Sequence, residues 1–142
     1  MRVQLALNVE NLDAAIDYYS KLFGAKVNKR KPGYANFAID EPPLKLVLLE
    51  VPGAAERLNH LGVEVFEQGD VDAAIARLSA AGIAGAVEIE RTCCHAVQSK
   101  VWSSDPQGAR WEFYRVVADS EAFAAPPIVA ETAPAASACG CG

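Results

Sequence analysis

Residues 3–23 read VQLALNVENLDAAIDYYSKLF, a short strand-like segment followed by a longer one with helical periodicity. Residues 3–9 predict a β-strand. In the segment that follows, large apolar side chains recur at helical spacing. Asn11 is a suitable N-cap, and Gly24 is a suitable residue to end the helix. This stretch therefore predicts a strand and then a helix over Leu12–Phe23.

The same order returns in the second half of the chain. Residues 61–66 predict a strand, and a helix begins at Asp70 and ends at Gly82. The closest local match is LDAAI at residues 12–16 against VDAAI, which follows 59 positions later. Further strand-like segments follow each helix, at residues 34–39 and 44–51 in the first half and 86–90, 97–103 and 109–117 in the second; residues 25–29 are an additional candidate.

Each half therefore reads β-α-β-β, which predicts an α+β domain built from two tandem modules, about residues 1–56 and 57–117. Two such modules would pair their sheets around a shared concave face. Residues 118–142 are rich in Ala and Pro and poor in large apolar side chains, so we expect a disordered tail.

The composition restricts the class of protein. A length of 142 residues fits one domain, and 51% apolar with 22% charged residues is close to the globular average. A net charge of −5 argues against binding to a nucleic-acid backbone. No apolar run reaches the roughly 20 residues of a membrane helix, and the start lacks the apolar core of a signal peptide. We therefore expect a cytoplasmic protein without nucleic-acid or membrane partners.

Three polar residues are candidate metal ligands. Gln4 lies near the start of the first strand, His60 lies where a loop enters the first strand of the second module, and Glu112 lies in a strand with aromatic neighbours. A carboxylate on an apolar strand is costly unless it is paired or faces a cavity. An imidazole, a carboxylate and an amide oxygen together can hold a divalent ion with open positions. The alternative is a solvated Glu112 and a His60 that only caps a loop.

The four cysteines form two tight clusters, and a reducing compartment favours metal binding or reactivity over structural disulfides. Cys93 and Cys94 are adjacent in a predicted loop, flanked by Arg91 and His95, which would favour thiolates that select soft, thiophilic centres. Two alternatives are a pair of small buried residues and a redox pair.

Cys139 and Cys141 form a second pair near the end of the tail. The glycines around them permit both thiols to converge on one soft ion. A tail without function is the alternative interpretation.

Six segments carry a resemblance to a known family, in family order: VQLALNV (3–9), FGA (23–25), LNHLGVE (58–64), TCC (92–94), QSKVW (98–102) and WEFY (111–114). Residues 1–117 resemble the vicinal oxygen chelate superfamily, in which two βαββ modules surround a metal site in the sheet concavity. More closely, they resemble its branch of cadmium-induced proteins and organoarsenical carbon–arsenic lyases. The Asn-His-Leu-Gly and Thr-Cys-Cys strings are specific to that branch.

The resemblance implies one Fe(II) held by Gln4, His60 and Glu112, with Cys93 and Cys94 capturing the arsenic of a trivalent organoarsenical substrate. A dioxygen-dependent reaction would then cleave the carbon–arsenic bond and release arsenite. Lys100 would stabilise an anionic oxygen species; its alternative is a solvated lysine. The family pattern has an aromatic residue after the cysteine pair, where this chain has His95, so His95 is a candidate contact for substrate or metal.

Three alternatives to this function stay open. The first is a non-catalytic resistance protein that binds cadmium or arsenic. It would need the thiols of Cys93 and Cys94, with Cys139 and Cys141 as accessory thiols, but it would not need the metal ligands. The others are an isomerase and a thiol transferase of the same fold. A glyoxalase-type site would need a fourth ligand, and the first module offers only Glu50, at the far end of its strand. The superfamily includes sites closed within a monomer and across a homodimer.

Overall fold

The computed structural model of the chain describes residues 1–93 and 95–120. The described elements are β1 (Arg2–Val9), α1 (Leu12–Phe23), β2 (Lys29–Lys31), β3 (Tyr34–Ile39), β4 (Leu44–Glu50), β5 (Leu58–Glu64), α2 (Gln68–Ala80), β6 (Val87–Cys93), β7 (Ala96–Ser104) and β8 (Arg110–Asp119). Neither helix in this described part has the length and apolarity that crossing a membrane requires.

Local signals at both ends of α1 act as the sequence predicts. The Asn11 side chain accepts a hydrogen bond from the Ala14 backbone N–H at 2.9 Å, which satisfies a donor that the first helical turn leaves open. Gly24 ends the helix in the left-handed conformation, with φ of +60°. The predicted helix over Leu12–Phe23 is confirmed.

The eight strands form one curled sheet in the order β2-β3-β4-β1-β5-β8-β7-β6. The first four strands in this order belong to the first module, and the last four repeat the same arrangement in the second. Parallel pairs β1–β4 and β5–β8 match each other, and the two modules join where β1 and β5 pair antiparallel. The predicted pair of βαββ modules in an α+β fold is confirmed.

The helices cover one face of the sheet and leave the other concave. Side chains of α1 pack on Leu5, Leu46 and Leu48, while Ala74 and Leu78 of α2 pack on Val101. Because side chains alternate along a strand, Gln4 and Ala6 point to the opposite, concave face. That face carries a small apolar cluster, Ala6, Tyr34, Val47 and Leu49, and buried polar side chains beside it.

Several predicted boundaries were wrong: α2 begins at Gln68 rather than at Asp70, β8 continues to Asp119, into the expected tail, and three further differences lie nearer the site. β2 lies at Lys29–Lys31 rather than at residues 25–29. β5 begins at Leu58, so His60 lies inside a strand and not at a loop entrance. β6 continues through Cys93, whose backbone pairs with Ala96, so Cys93 lies in a strand and not in the predicted loop. Strand pairing over many residues decides these limits, and short apolar runs do not encode it. Cys94, Cys139 and Cys141 lie outside the described residues.

Candidate metal centre

Gln4, His60 and Glu112 meet on the concave face, although 108 positions separate the first from the last. All three are fully buried. Gln4 Nε2 lies 2.8 Å from His60 Nε2 and 2.8 Å from Glu112 Oε1, and His60 Nε2 lies 3.2 Å from Glu112 Oε1. The three side chains that the sequence singled out therefore form one cluster, and their burial excludes a solvated Glu112.

The three side chains approach closely enough for one cation to contact all of them. Their nearest polar atoms are 2.8–3.2 Å apart, and an amide oxygen, an imidazole nitrogen and a carboxylate oxygen are ligands that a divalent ion can use. A cation would bind the side-chain oxygen of Gln4 and not its nitrogen. A half-turn of the amide group exchanges the positions of these two atoms. Gln4 Oε1 is buried and has no hydrogen-bond partner within residues 1–93 and 95–120, so an atom suited to a cation is available.

A chain of amides fixes the protonation of His60. Asn8 Nδ2 donates to the Glu56 carbonyl at 2.9 Å, and Asn59 Nδ2 donates to Asn8 Oδ1 at 3.1 Å. Asn59 Oδ1 therefore faces His60 Nδ1 at 2.9 Å and must accept its proton. The lone pair of the imidazole then lies on Nε2, which faces Gln4 and Glu112, as a metal ligand requires.

Burial and charge keep both groups in their ligand forms. Burial lowers the pKa of His60 below its ordinary 6.5, more than the neighbouring Glu112 raises it, so the imidazole is neutral at pH 7. Burial alone would raise the pKa of Glu112, but the charge of the neighbouring Lys100 is the largest opposing influence, and the pKa is lowered to about 2. A neutral imidazole and an ionised carboxylate are the states that bind a cation.

Lys100 binds the carboxylate oxygen of Glu112 that does not face Gln4 and His60. It is fully buried, and its Nζ donates to Glu112 Oε2 at 2.7 Å, so it is not the solvated strand lysine of the alternative interpretation. The same ammonium lies 5.2 Å from the centre of the Trp102 ring and 5.8 Å from that of Tyr114. The Trp102 ring also meets the His60 ring edge-on at 5.5 Å. Trp102 and Tyr114 thus line the buried cluster beside Lys100 and His60.

Gly62 leaves the space in which Gln4 and Glu112 meet. A Cβ at this position would lie 3.1 Å from Gln4 Nε2, 3.1 Å from Glu112 Cγ and 3.2 Å from the Glu112 carbonyl oxygen. Sequence reasoning did not assign Gly62, Asn59 or Trp102 to the site. A signal existed for the first: once His60 lies in a strand, period-2 alternation puts Gly62 on the same face.

The first module supplies only one ligand. Ala6 of β1 and Gly62 of β5 are equivalent positions in the two modules, each two residues after a candidate ligand. Ala6 pairs with Val47, and Gly62 pairs with Glu112, so Val47 occupies the position in the first module that is equivalent to Glu112. Glu50 instead accepts the Leu12 backbone N–H at 2.7 Å at the start of α1. Within the described residues no three His, Cys, Asp or Glu side chains cluster for a metal ion, and the centre is complete only with Gln4.

The turn after the cysteine pair reaches the opposite module. His95 is buried, adopts φ of +67°, and places its ring 5.9 Å from the Tyr34 ring on β3. Cys93 ends β6 beside it. The predicted roles of Cys93, Cys94 and His95 in binding substrate stay predictions.

Comparison with known proteins identifies relatives over most of the chain. Residues 2–113 match the family model of the glyoxalase/bleomycin resistance protein/dioxygenase superfamily. The cadmium-induced protein CadI of Mycobacterium tuberculosis is 62% identical over 126 residues, 89% of this chain and 83% of the relative. A trivalent organoarsenical cleaving enzyme of Thermomonospora curvata is 54% identical over 124 residues, 87% of this chain and 82% of the enzyme.

A solved structure shows the same architecture. Homoprotocatechuate 2,3-dioxygenase from Arthrobacter globiformis superposes with a TM-score of 0.58 at 22% identity, covering 83% of this chain and 36% of that one. At this identity the likeness concerns the fold alone, and it confirms the predicted vicinal oxygen chelate fold. The fold, the family model and the two relatives agree: the chain belongs to the glyoxalase/bleomycin resistance protein/dioxygenase superfamily.

Proposed function

We propose that the chain is a non-haem Fe(II)-dependent dioxygenase that cleaves the carbon–arsenic bond of methyl- and aryl-As(III) compounds and releases arsenite. The observation that carries the proposal is the convergence of Gln4, His60 and Glu112 at 2.8–3.2 Å on a buried concave face. The 54% identity to an enzyme named for cleaving trivalent organoarsenicals supports the substrate class.

In this proposal each residue has a defined task. Gln4, His60 and Glu112 hold one Fe(II) through an amide oxygen, an imidazole nitrogen and a carboxylate oxygen. Bound Fe(II) supplies the electron-transfer chemistry with dioxygen, the co-substrate, at the positions that three protein ligands leave open. Lys100 holds Glu112 Oε2 and keeps the carboxylate ionised. Cys93 and Cys94 bind the arsenic, which makes the reaction effectively intramolecular.

The proposed setting is the cytoplasm, where the thiols stay reduced. Without reduced Cys93 and Cys94 a trivalent arsenical has no adjacent thiol pair to bind. Cys139 and Cys141 would act as accessory thiols for the same metalloid. The proposal applies to a monomer or a homodimer, with one Fe(II) per centre.

The experiment is a single comparison under controlled oxygen. Anaerobic, reduced protein is loaded with Fe(II), mixed with methyl- or phenyl-As(III), exposed to oxygen, and assayed for inorganic arsenite. We expect release by the wild type, loss in Glu112→Gln, and retention in Glu64→Gln, which removes a buried carboxylate of the same face that contacts Arg2 and Lys45 instead. No arsenite from reduced, iron-loaded wild type contradicts the proposal.

A second candidate is a non-catalytic thiol protein that binds cadmium or arsenic, which the 62% identity to a cadmium-induced protein favours. This candidate needs the cysteines but not Gln4 or Glu112. Cells that carry Glu112→Ala separate the two functions. Full protection from methyl-As(III) in that strain supports sequestration, whereas loss of protection with normal protein levels supports cleavage.

A further inference from the structure

The turn that follows the cysteine pair is tied to the opposite edge of the sheet by a lysine. β2 and β6 are the two edge strands, so Lys29 on β2 and His95 after β6 belong to opposite ends of the strand order. Nevertheless Lys29 Nζ donates to the His95 carbonyl oxygen at 2.6 Å. The sheet therefore curls until its two edges meet at this bond.

A second donor and a ring contact fix the same residue. The Ser120 backbone N–H donates to the His95 carbonyl oxygen at 2.8 Å, and Lys29 also pairs with Asp119 at 2.9 Å. The His95 ring packs at 5.9 Å from Tyr34, whose hydroxyl accepts from Asn36 at 2.8 Å. We call Lys29, Ser120 and the His95 carbonyl the His95 clasp. It fixes the backbone directly after the cysteines against the first module.

We propose that Lys29 is a positioning residue for arsenical capture, because the His95 clasp holds the backbone that directly follows the Cys93–Cys94 pair in the sequence against the first module. The inference rests on the proposed function of the cysteines. The two bonds of Lys29 differ in weight: the Lys29 side chain is 18% exposed, whereas that of Asp119 is 85% exposed. A charge-assisted bond to a shielded carbonyl contributes more than an exposed ion pair, so the bond to His95 should carry the effect.

The test measures capture separately from turnover. The full chain with Cys139→Ser and Cys141→Ser, in which only one thiol pair remains, is the reference form. It is titrated with phenylarsine oxide alone and with Lys29→Met, Asp119→Asn or Lys26→Met added. Lys26 is an exposed lysine of the same segment and serves as the matched control. We expect about tenfold weaker binding for Lys29→Met at an unchanged ratio of one arsenic per chain. Asp119→Asn and Lys26→Met should stay within about twofold.

Hydrogen exchange supplies a readout that does not depend on arsenic. The peptide that contains residues 95–98 should exchange several-fold faster in Lys29→Met than in Lys26→Met. In arsenite release, Lys29→Met should raise KM and leave kcat and Fe(II) affinity within about twofold. If Lys29→Met does not fold, Ser120→Pro removes the other donor of the clasp and should also weaken the binding of phenylarsine oxide.

The outcomes separate this inference from the proposed function. Equal arsenical affinity and equal exchange in Lys29→Met and Lys26→Met overturn the positioning role, whatever the activity. If Lys29→Met weakens the binding of phenylarsine oxide but the wild type releases no arsenite, only the proposed cleavage is overturned. An effect on kcat or Fe(II) affinity with unchanged arsenical affinity also overturns the positioning role, because Lys29 would then act on the centre itself.

Discussion

Lys100 donates its hydrogen bond to Glu112 Oε2, the carboxylate oxygen opposite the one that faces Gln4 and His60. The two oxygens of one carboxylate thus have different partners: a fixed ammonium on one side and the candidate ligand cluster on the other. Both side chains are fully buried, so neither charge has water as an alternative partner. The pair explains how the Glu112 carboxylate stays ionised in a buried site.

We expect Lys100→Met to lower the free energy of unfolding of the metal-free protein by about 3 kcal/mol at pH 7, because it leaves a buried carboxylate without its charge partner. Urea unfolding in the presence of a chelator measures this change. The double variant Lys100→Met/Glu112→Gln removes both charges and should lose clearly less than the sum of the two single variants. Strict additivity would show that the pair is not coupled.

Asn59 should control metal affinity through the protonation of His60. Asn59→Leu removes the acceptor for the His60 Nδ1 proton and should weaken the binding of Fe(II) or Co(II) about 10- to 100-fold. Asn59→Asp keeps an acceptor at the same position and should retain most of the affinity. Anaerobic titration of the two variants decides the point, and equal losses would exclude a role in selecting the tautomer.

Gly62→Ala should damage the centre without touching a ligand, because its Cβ would lie 3.1 Å from both Gln4 and Glu112 side chains. We expect at least about tenfold weaker metal binding, since the three donor atoms can no longer approach one another. Gly69→Ala is the matched control: it meets open space in α2 and should keep normal binding. Normal metal affinity in Gly62→Ala would contradict the crowded geometry.

Acid should destabilise the metal-free protein in two ranges. The pKa of His60 in the folded protein lies below 6.5. As the pH falls below 6.5, the imidazole therefore takes up a proton in the unfolded chain but stays neutral in the folded chain, which lowers the free energy of unfolding. The pKa of Glu112 falls from 4.5 to about 2 on folding, so its contribution, on the order of 3 kcal/mol, is present above pH 4.5 and is lost as the pH approaches 2.

Unfolding in urea at a series of pH values tests both assignments. His60→Gln should remove the loss of stability that begins near pH 6.5, and Glu112→Gln should remove the loss below pH 4.5. A His60→Gln profile that coincides with the wild-type profile would assign the first transition to other groups.

Local chemistry made part of the fold predictable. The Asn11 cap and the Gly24 end specify α1 within a dozen residues, and the repeat of 12–16 at 71–75 indicated two modules. The Asp105 to Gly108 turn is another local case, because the Asp105 side chain accepts the Gln107 and Ala109 backbone N–H groups. In each example the residues that decide the structure are close in the chain.

The site depended on information that is not local. Gln4, His60 and Glu112 were weak candidates from their residue types, and the family resemblance made them the predicted ligands. The long-range contacts at the site, of Asn59 with Asn8 and of Gly62 with Glu112, arise from the β1–β5 and β5–β8 registers, which no short pattern encodes. The same reason applies to Lys29, because its contact with His95 depends on how far the sheet curls.

The position of the ligand cluster has a consequence for how such a site originates. Gln4 belongs to the first module and His60 and Glu112 to the second, while Val47 stands where a symmetric counterpart of Glu112 would be. Two identical halves would offer either two carboxylates or none. The centre is therefore a property of halves that have become different from each other, and an isolated copy of either half would lack a complete set of ligands.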